Sequence, residues 1–259
     1  MSRHYSSVAP ALLLSGVVLA TACTSAHAQT ALLAPTPAAY NWSGFYFGAF
    51  GGVGWTDVVV PDLFTDAFGG NFYSPGGETF TLSPEGLFGG GQAGVDWQWG
   101  RFVAGVVGEI GFMDLYESRI NPFSLPVPAP ETQPYTTFKA QWFGSLAGRV
   151  GVPLDRILIY AKAGIAFLDV EASSVDPCGR SFCGQTTIDA SGDGVLLGWT
   201  AGGGAEAALT EHLRVGVEYR YYDFESLEVS GVGSNLLEYH QDIEIDGIHT
   251  ARAFVNYVW

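Results

Sequence analysis

From Leu213 to Tyr222 the chain alternates without exception. Leu213, Val215, Val217, Tyr219 and Tyr221 fall on one side, and Arg214, Gly216, Glu218, Arg220 and Tyr222 on the other. A period of two is strand geometry, because successive side chains of a strand point to opposite faces. A helix would scatter those arginines among the apolar residues. In 157–167, Ile157, Ile159, Ala161, Ala163, Ile165 and Phe167 oppose Leu158, Tyr160, Lys162, Gly164 and Ala166. In 102–112, Phe102, Ala104, Val106, Ile110 and Phe112 oppose a face carrying Glu109. In 137–151, Phe138, Trp142, Leu146 and Val150 oppose Lys139, Gln141, Ser145 and Arg149. In 195–207 the polar face holds Thr200 and Glu206, and in 87–99 it holds Gln92, Asp96 and Gln98. At the end, Ala251, Ala253, Val255, Tyr257 and Trp259 oppose Arg252 and Asn256. The first segment, 44–55, is rich in Gly and aromatics and does not declare its facing.

These segments predict eight strands of about ten residues, the length a tilted strand needs to cross the hydrocarbon layer. Three connections are short, 99–101, 152–156 and 209–212. Four are long, 56–84, 115–136, 170–193 and 225–246. Short turns on one side and long loops on the other are the pattern of an outer-membrane barrel, with the short turns in the periplasm. The expected fold is all-β, an eight-stranded antiparallel up-and-down transmembrane β-barrel over 42–259, with periplasmic termini and extracellular loops. Only helices and closed barrels satisfy every backbone group in lipid, and after the first 28 residues no apolar run approaches a spanning helix.

Composition agrees. Charged residues make up 14%, where about a quarter is usual. The net charge of −15 excludes nucleic acid as a partner, since phosphate binding needs clustered Lys and Arg. The four long connections hold 16 acidic residues against Arg119 and Arg180. Most of the remaining basic residues lie on the polar strand faces. A charge turned to lipid at mid-depth would cost ~2–4 kcal/mol, whereas one turned inward can pair. Asp96, Glu109, Lys139, Arg149, Lys162, Glu206, Arg214, Glu218, Arg220 and Arg252 are therefore expected to form a charge network in the lumen. The interior of an eight-stranded barrel is just wide enough for side chains to fill, so the network closes it. A narrow ion path through rearranging pairs is the alternative. Trp42, Trp97, Trp99, Phe102, Tyr257 and Trp259 are placed in one interfacial belt, and Trp55, Phe112, Phe138, Phe167, Trp199 and Tyr221 in the other.

The first residues look like a secretory signal. Arg3 and His4 precede an apolar run from Val8 to Ala22, and Ala26-His27-Ala28 is a small-x-small cleavage site. Cleavage is expected after Ala28, leaving an Ala/Pro-rich periplasmic linker over 29–41. Ala20-Thr21-Ala22-Cys23 loosely resembles a lipoprotein box, which would lipidate Cys23 instead. In an oxidising compartment Cys178 and Cys183 are read as a structural disulfide. Cys-Gly-Arg-Ser-Phe-Cys lacks the further ligands of a zinc site, so neither a metal nor a resident cofactor is expected.

Asn41-Trp42-Ser43-Gly44-Phe45-Tyr46-Phe47-Gly48 and Gly89-Gly90-Gly91-Gln92-Ala93-Gly94-Val95-Asp96-Trp97-Gln98 resemble the first two strands of a known family. Trp142-Phe143-Gly144-Ser145 with Gly148-Arg149-Val150-Gly151, Gly198 to Glu206, and Val217 to Phe224 resemble later ones. The family is that of small alphaproteobacterial outer-membrane β-barrels, which includes porin-like surface antigens and hemin-binding surface proteins. It is similar to the outer-membrane protein A-like barrel superfamily. The match spans roughly 41–259, with Val95 and Asp96 departing from the pattern. The chain ends in Trp259 where the family usually ends in Phe, and the resemblance assigns the terminal aromatic to recognition by the barrel-assembly machinery. It implies a Gram-negative cell outer membrane as location, and outer-membrane lipid and lipopolysaccharide as surroundings.

The expected role is structural, supporting envelope integrity, with acidic loops that could meet cationic or host-surface ligands. A hemin- or cation-binding surface receptor, or a small porin-like channel, is the alternative. Hemin iron takes His, Tyr or Met, so Tyr239, His240 and His249 are the weak candidates. An enzyme is not expected. His212, His240 and His249 have no partnered nucleophile in the sequence, and no catalytic residue is assigned.

Overall fold

The structure, a computed structural model, describes residues 40–61, 64–66, 71–72, 79–121, 134–177, 187–234 and 236–259. The segment expected to be a signal sequence, nearly all of the expected linker, and the expected Cys178/Cys183 disulfide lie outside the described residues.

The strands are β1 (Gly44–Pro61), β2 (Phe64–Asp66), β3 (Asn71–Phe72), β4 (Thr79–Leu82), β5 (Glu85–Trp99), β6 (Phe102–Ile120), β7 (Tyr135–Leu154), β8 (Ile157–Pro177), β9 (Thr187–Ala208), β10 (Leu213–Phe224), β11 (Leu227–Val232) and β12 (Glu238–Val258). Eight of them, β1, β5, β6, β7, β8, β9, β10 and β12, pair antiparallel in chain order. β12 returns to pair with β1 and closes the ring. β4 and β11 prolong β5 and β10 beyond short breaks.

Partners can be followed once round the ring, from Tyr46 through Gly94, Val107, Ala147, Gly164, Thr200, Tyr222 and Ile248 back to Thr56. The circuit returns to β1 ten residues further along. With a strand rise of about 3.3 Å and a strand spacing of about 4.8 Å, that stagger sets a tilt of about 40°.

The outward face of β8 runs apolar from Ile157 to Phe167 and then turns polar at Asp169 and Glu171. Ten residues at that tilt rise about 25 Å, the height of a lipid-facing band. The strands do not stop there. β7, β8, β9 and β12 are 20 to 22 residues long. Much of the four segments expected as loops is therefore strand. In this extension the pattern inverts: Val58, Leu115, Leu168, Val170, Ile188 and Ile243 point inward and are buried, while Asp57, Glu171, Asp189 and Glu244 point outward. Outside lipid, the apolar face seeks the interior and the charges seek water.

Two strands change facing part-way. The register between Ala140 and Phe143 shifts, so β7 carries a bulge that turns Phe138 inward and Lys139 outward. In β12 the shift lies opposite Thr56 and Val58. There Gly247 has φ 63° and its carbonyl accepts the Thr56 hydroxyl at 2.6 Å. A Cβ at 247 would meet the Tyr221 ring. Gly247→Ala is expected to lower unfolding stability by about 1–3 kcal/mol, measured by urea titration in detergent micelles, because a side chain there is strained in both backbone and packing.

Candidate functional site: the buried charge network of the lumen

Within the lipid-facing band the inward positions carry the charges, because the outward ones must be apolar. Nine of the ten sequence-predicted residues converge there: Asp96, Glu109, Arg149, Lys162, Glu206, Arg214, Glu218, Arg220 and Arg252 are all buried, none more than 6% exposed. They form two linked groups.

Nearer the short turns, Arg149 pairs with Asp96, its Nη1 also donating to Glu206 at 2.9 Å. Arg214 Nη1 donates to the same Asp96 at 3.1 Å. Arg149 lies between the rings of Tyr46 and Tyr160, with centroids at 4.9 and 5.2 Å. Deeper in the band, Glu109 binds three cations. Lys162 Nζ donates to it at 2.8 Å, Arg220 and Arg252 pair with it, and the Ser145 hydroxyl donates at 2.8 Å. Glu218 accepts from Lys162 at 3.0 Å, from Arg252 at 2.6 Å and from the Tyr160 hydroxyl at 2.6 Å. Gln92 and Asn256 join the groups: Gln92 Nε2 donates to Asn256 at 2.6 Å and Asn256 Nδ2 donates to Glu206 at 3.0 Å. The carboxylates thus carry several charge-assisted bonds each, the arrangement that offsets desolvation of buried ions.

Lys139 stands apart from this network. The β7 bulge puts it on the outer wall, half-exposed, and the expectation that it shares the lumen is corrected by that change of facing. The same bulge removes Phe138 from the aromatic belt and buries it completely.

Trp42 is also not in a belt. It is fully buried inside the barrel end, with Tyr40 beside it at 5.0 Å between ring centroids. The Arg214 guanidinium stacks 4.7 Å from the Trp42 ring, donates to the Trp42 carbonyl at 2.9 Å and to the Tyr40 hydroxyl at 2.9 Å. Trp42 Nε1 donates to the carbonyl of Asp155 in the β7–β8 turn at 3.3 Å. On the opposite side of the network lie the packed rings of Phe50, Phe88, Phe143 and Tyr222, with centroids about 6 Å apart. The lumen is therefore layered: an aromatic plug, two charged groups, an aromatic layer and an aliphatic core. Tyr160, Gln92 and Asn256 were visible on polar strand faces. The inward turn of Tyr40 and Trp42 left no periodic trace, since they precede the first strand.

The hemin candidates do not converge. Tyr239 is buried and inward. His240 faces outward and binds Glu228 at 2.9 Å. His249 faces the outer wall about 30 Å farther along the strand at 3.3 Å per residue, where it bonds the Tyr219 hydroxyl at 2.6 Å. Among the described residues no three His, Cys, Asp or Glu side chains are grouped as metal ligands.

A closed ring of tilted strands with an apolar outer band matches a known family. The family model for the outer membrane protein beta-barrel domain matches residues 16–247. The chain belongs to this family. Its relatives in the outer membrane protein family include a 22 kDa outer membrane protein of Rhizobium leguminosarum bv. viciae, 29% identical over 195 residues, which cover 74% of this chain and 69% of the relative. A 25 kDa outer-membrane immunogenic protein of Brucella canis is 26% identical over 231 residues, 88% of each chain. Among solved structures, OprG of Pseudomonas aeruginosa aligns over 85% of this chain and 99% of its own, with 12% identity and a TM-score of 0.45. As a member of the outer-membrane β-barrel family, the protein resides in the outer membrane of a Gram-negative cell, and its apolar band faces lipid.

Proposed function

We propose that the protein is a non-conducting structural barrel of the outer membrane, with its extended strands outside the cell and its short turns and both mature ends in the periplasm. The observation that carries this is the lumen: five cations and four carboxylates, all buried, span it at mid-depth. Moving an ion through would require breaking several buried pairs at once, each costing about 3–5 kcal/mol when one partner is lost. The packed aromatic and aliphatic layers beyond hold buried polar groups such as the Tyr222 hydroxyl and Gln241 but no further buried charge among the described residues, so a desolvated ion gains little there.

The outer wall supports the orientation and a surface role. Directly beyond the last lipid-facing residue, seven of the eight ring strands present an outward carboxylate: Asp57, Glu85, Asp114, Asp169, Asp193, Asp223 and Asp246. β7 presents Lys139 instead. This collar belongs at the charged headgroup layer of lipopolysaccharide, where divalent cations bridge carboxylate and phosphate. The Brucella relatives are named immunogenic, in keeping with exposure of this end to the outside. No catalytic role is proposed: among the described residues His212 bonds the Val258 carbonyl at 3.0 Å, His240 bonds Glu228 and His249 bonds the Tyr219 hydroxyl.

Reconstituted in planar bilayers, the protein is expected to give no steady single-channel current. A large, stable conductance would overturn the closed-lumen reading.

A further inference from the structure

We infer that the wall formed by β9, β10, β12 and β1 holds one outer-leaflet glycolipid, its sugar stacked on Trp55, Tyr219 and His249 and one acyl chain in the groove beneath. The inference rests on the orientation proposed above.

The groove is a shallow, open hollow of about 530 Å³ on the outer wall. Its floor is made of Gly203, Ala205, Ala251 and Ala253, with Val217 and Tyr219 as its taller sides. The register explains the shape: Tyr219 pairs with Gly203 on one side and Ala251 on the other, and Val217 with Ala205 and Ala253. Small side chains on both neighbours of a large one leave channels running along the strands. The groove lies in the lipid-facing band, so its occupant is a lipid chain.

At the upper mouth the wall changes character. Trp55 stacks on His249 at 5.8 Å and 12°, and the Tyr219 hydroxyl is bonded to the His249 ring. That bond fixes the two rings as one unit, while Trp55 and Tyr219 keep 41% and 47% of their surface free. A rigid aromatic face at the headgroup level suits the C–H face of a sugar, since aromatic rings offer large contact area with little entropy to lose. Asp246 and Asp223 stand just above. They repel a bare phosphate and admit one only with a divalent cation. A neutral sugar face below and a cation-bridged phosphate above is the layout of a lipopolysaccharide, and not of a single-headed phospholipid.

The test is native mass spectrometry of the full-length barrel folded in detergent with lipopolysaccharide or phosphatidylethanolamine, in calcium. The wild type is expected to keep one lipopolysaccharide at collision energies that strip phosphatidylethanolamine. Trp55→Leu with Tyr219→Leu keeps the wall apolar and is expected to cut retention about tenfold. Ala251→Leu fills the groove and is expected to do the same, while Tyr257→Leu, at the opposite belt, leaves retention unchanged. Heat-modifiable gel mobility confirms that each variant is folded. Equal retention of both lipids by the wild type, full retention by the double variant, or equal loss in Tyr257→Leu would each overturn the inference. The conductance measurement is independent: a conducting barrel that retains lipopolysaccharide refutes lumen closure alone, and a silent barrel that does not retain it refutes only the lipid site.

Discussion

Glu109→Gln is expected to lower unfolding stability by about 3–5 kcal/mol, the cost of removing one partner from a buried ion pair. The substitution preserves shape, so the loss is electrostatic. Glu109 carries Lys162, Arg220 and Arg252 together. Without its charge those three must share Glu218, which already accepts from Lys162, Arg252 and Tyr160. The lumen holds one more cation than carboxylate, so losing a carboxylate widens the imbalance and losing a cation narrows it. Arg220→Met should therefore cost less than Glu109→Gln, although both break the same pair. Pairing the two substitutions should recover part of the Glu109→Gln loss, a coupling that a double-mutant cycle reads directly. The measurement is urea unfolding of the folded barrel in micelles, followed by tryptophan fluorescence. Equal costs for the two single variants, or no recovery in the double, would show that the network does not act as a balanced unit.

How far the sequence discloses this arrangement depends on where a residue stands. In β5, β6, β8, β9, β10 and the end of β12 the period of two correctly separates wall from lumen, because lipid forbids charge on one face and the narrow interior collects it on the other. The rule fails at β7, where one extra residue at the bulge reverses the facing. Ser145 and Arg149 lie beyond it and face inward, while Lys139 lies before it and faces outward. Nothing in Lys139-Ala140-Gln141-Trp142 announces the extra residue, since partner strands impose it. The strand extensions were hidden for a different reason. Beyond Asp169 the period persists but its meaning reverses, with Val170 and Ala172 inside and Glu171 outside. Acidic, Ser- and Gly-containing alternation reads as loop when only lipid-facing strands are sought. The same inversion explains the acidic excess of those segments, for the outside of the extension is a water-facing surface.

The aromatic plug was illegible because belt and plug use the same residue type. Trp42→Ala is expected to cost about 3–5 kcal/mol, the range for emptying a buried Trp site. Three losses add up. The ring leaves a void among Tyr40, Arg214 and the β7–β8 turn, the indole donor no longer reaches the Asp155 carbonyl, and the Arg214 guanidinium loses the π face it stacks on. Trp42→Phe retains a ring but no donor, and should cost far less, about 1 kcal/mol for the hydrogen bond. The two variants also differ in what they release. Tyr40 is held by Trp42 and by Arg214, so Trp42→Ala should free the residues before β1 to a protease added from the short-turn side, and Trp42→Phe should not. Had Trp42 been a lipid-facing belt residue, Ala would have been tolerated to within a few tenths of a kcal/mol and the lead would be equally cleavable in all three proteins. That pattern would return Trp42 to the belt and leave the barrel end without its plug.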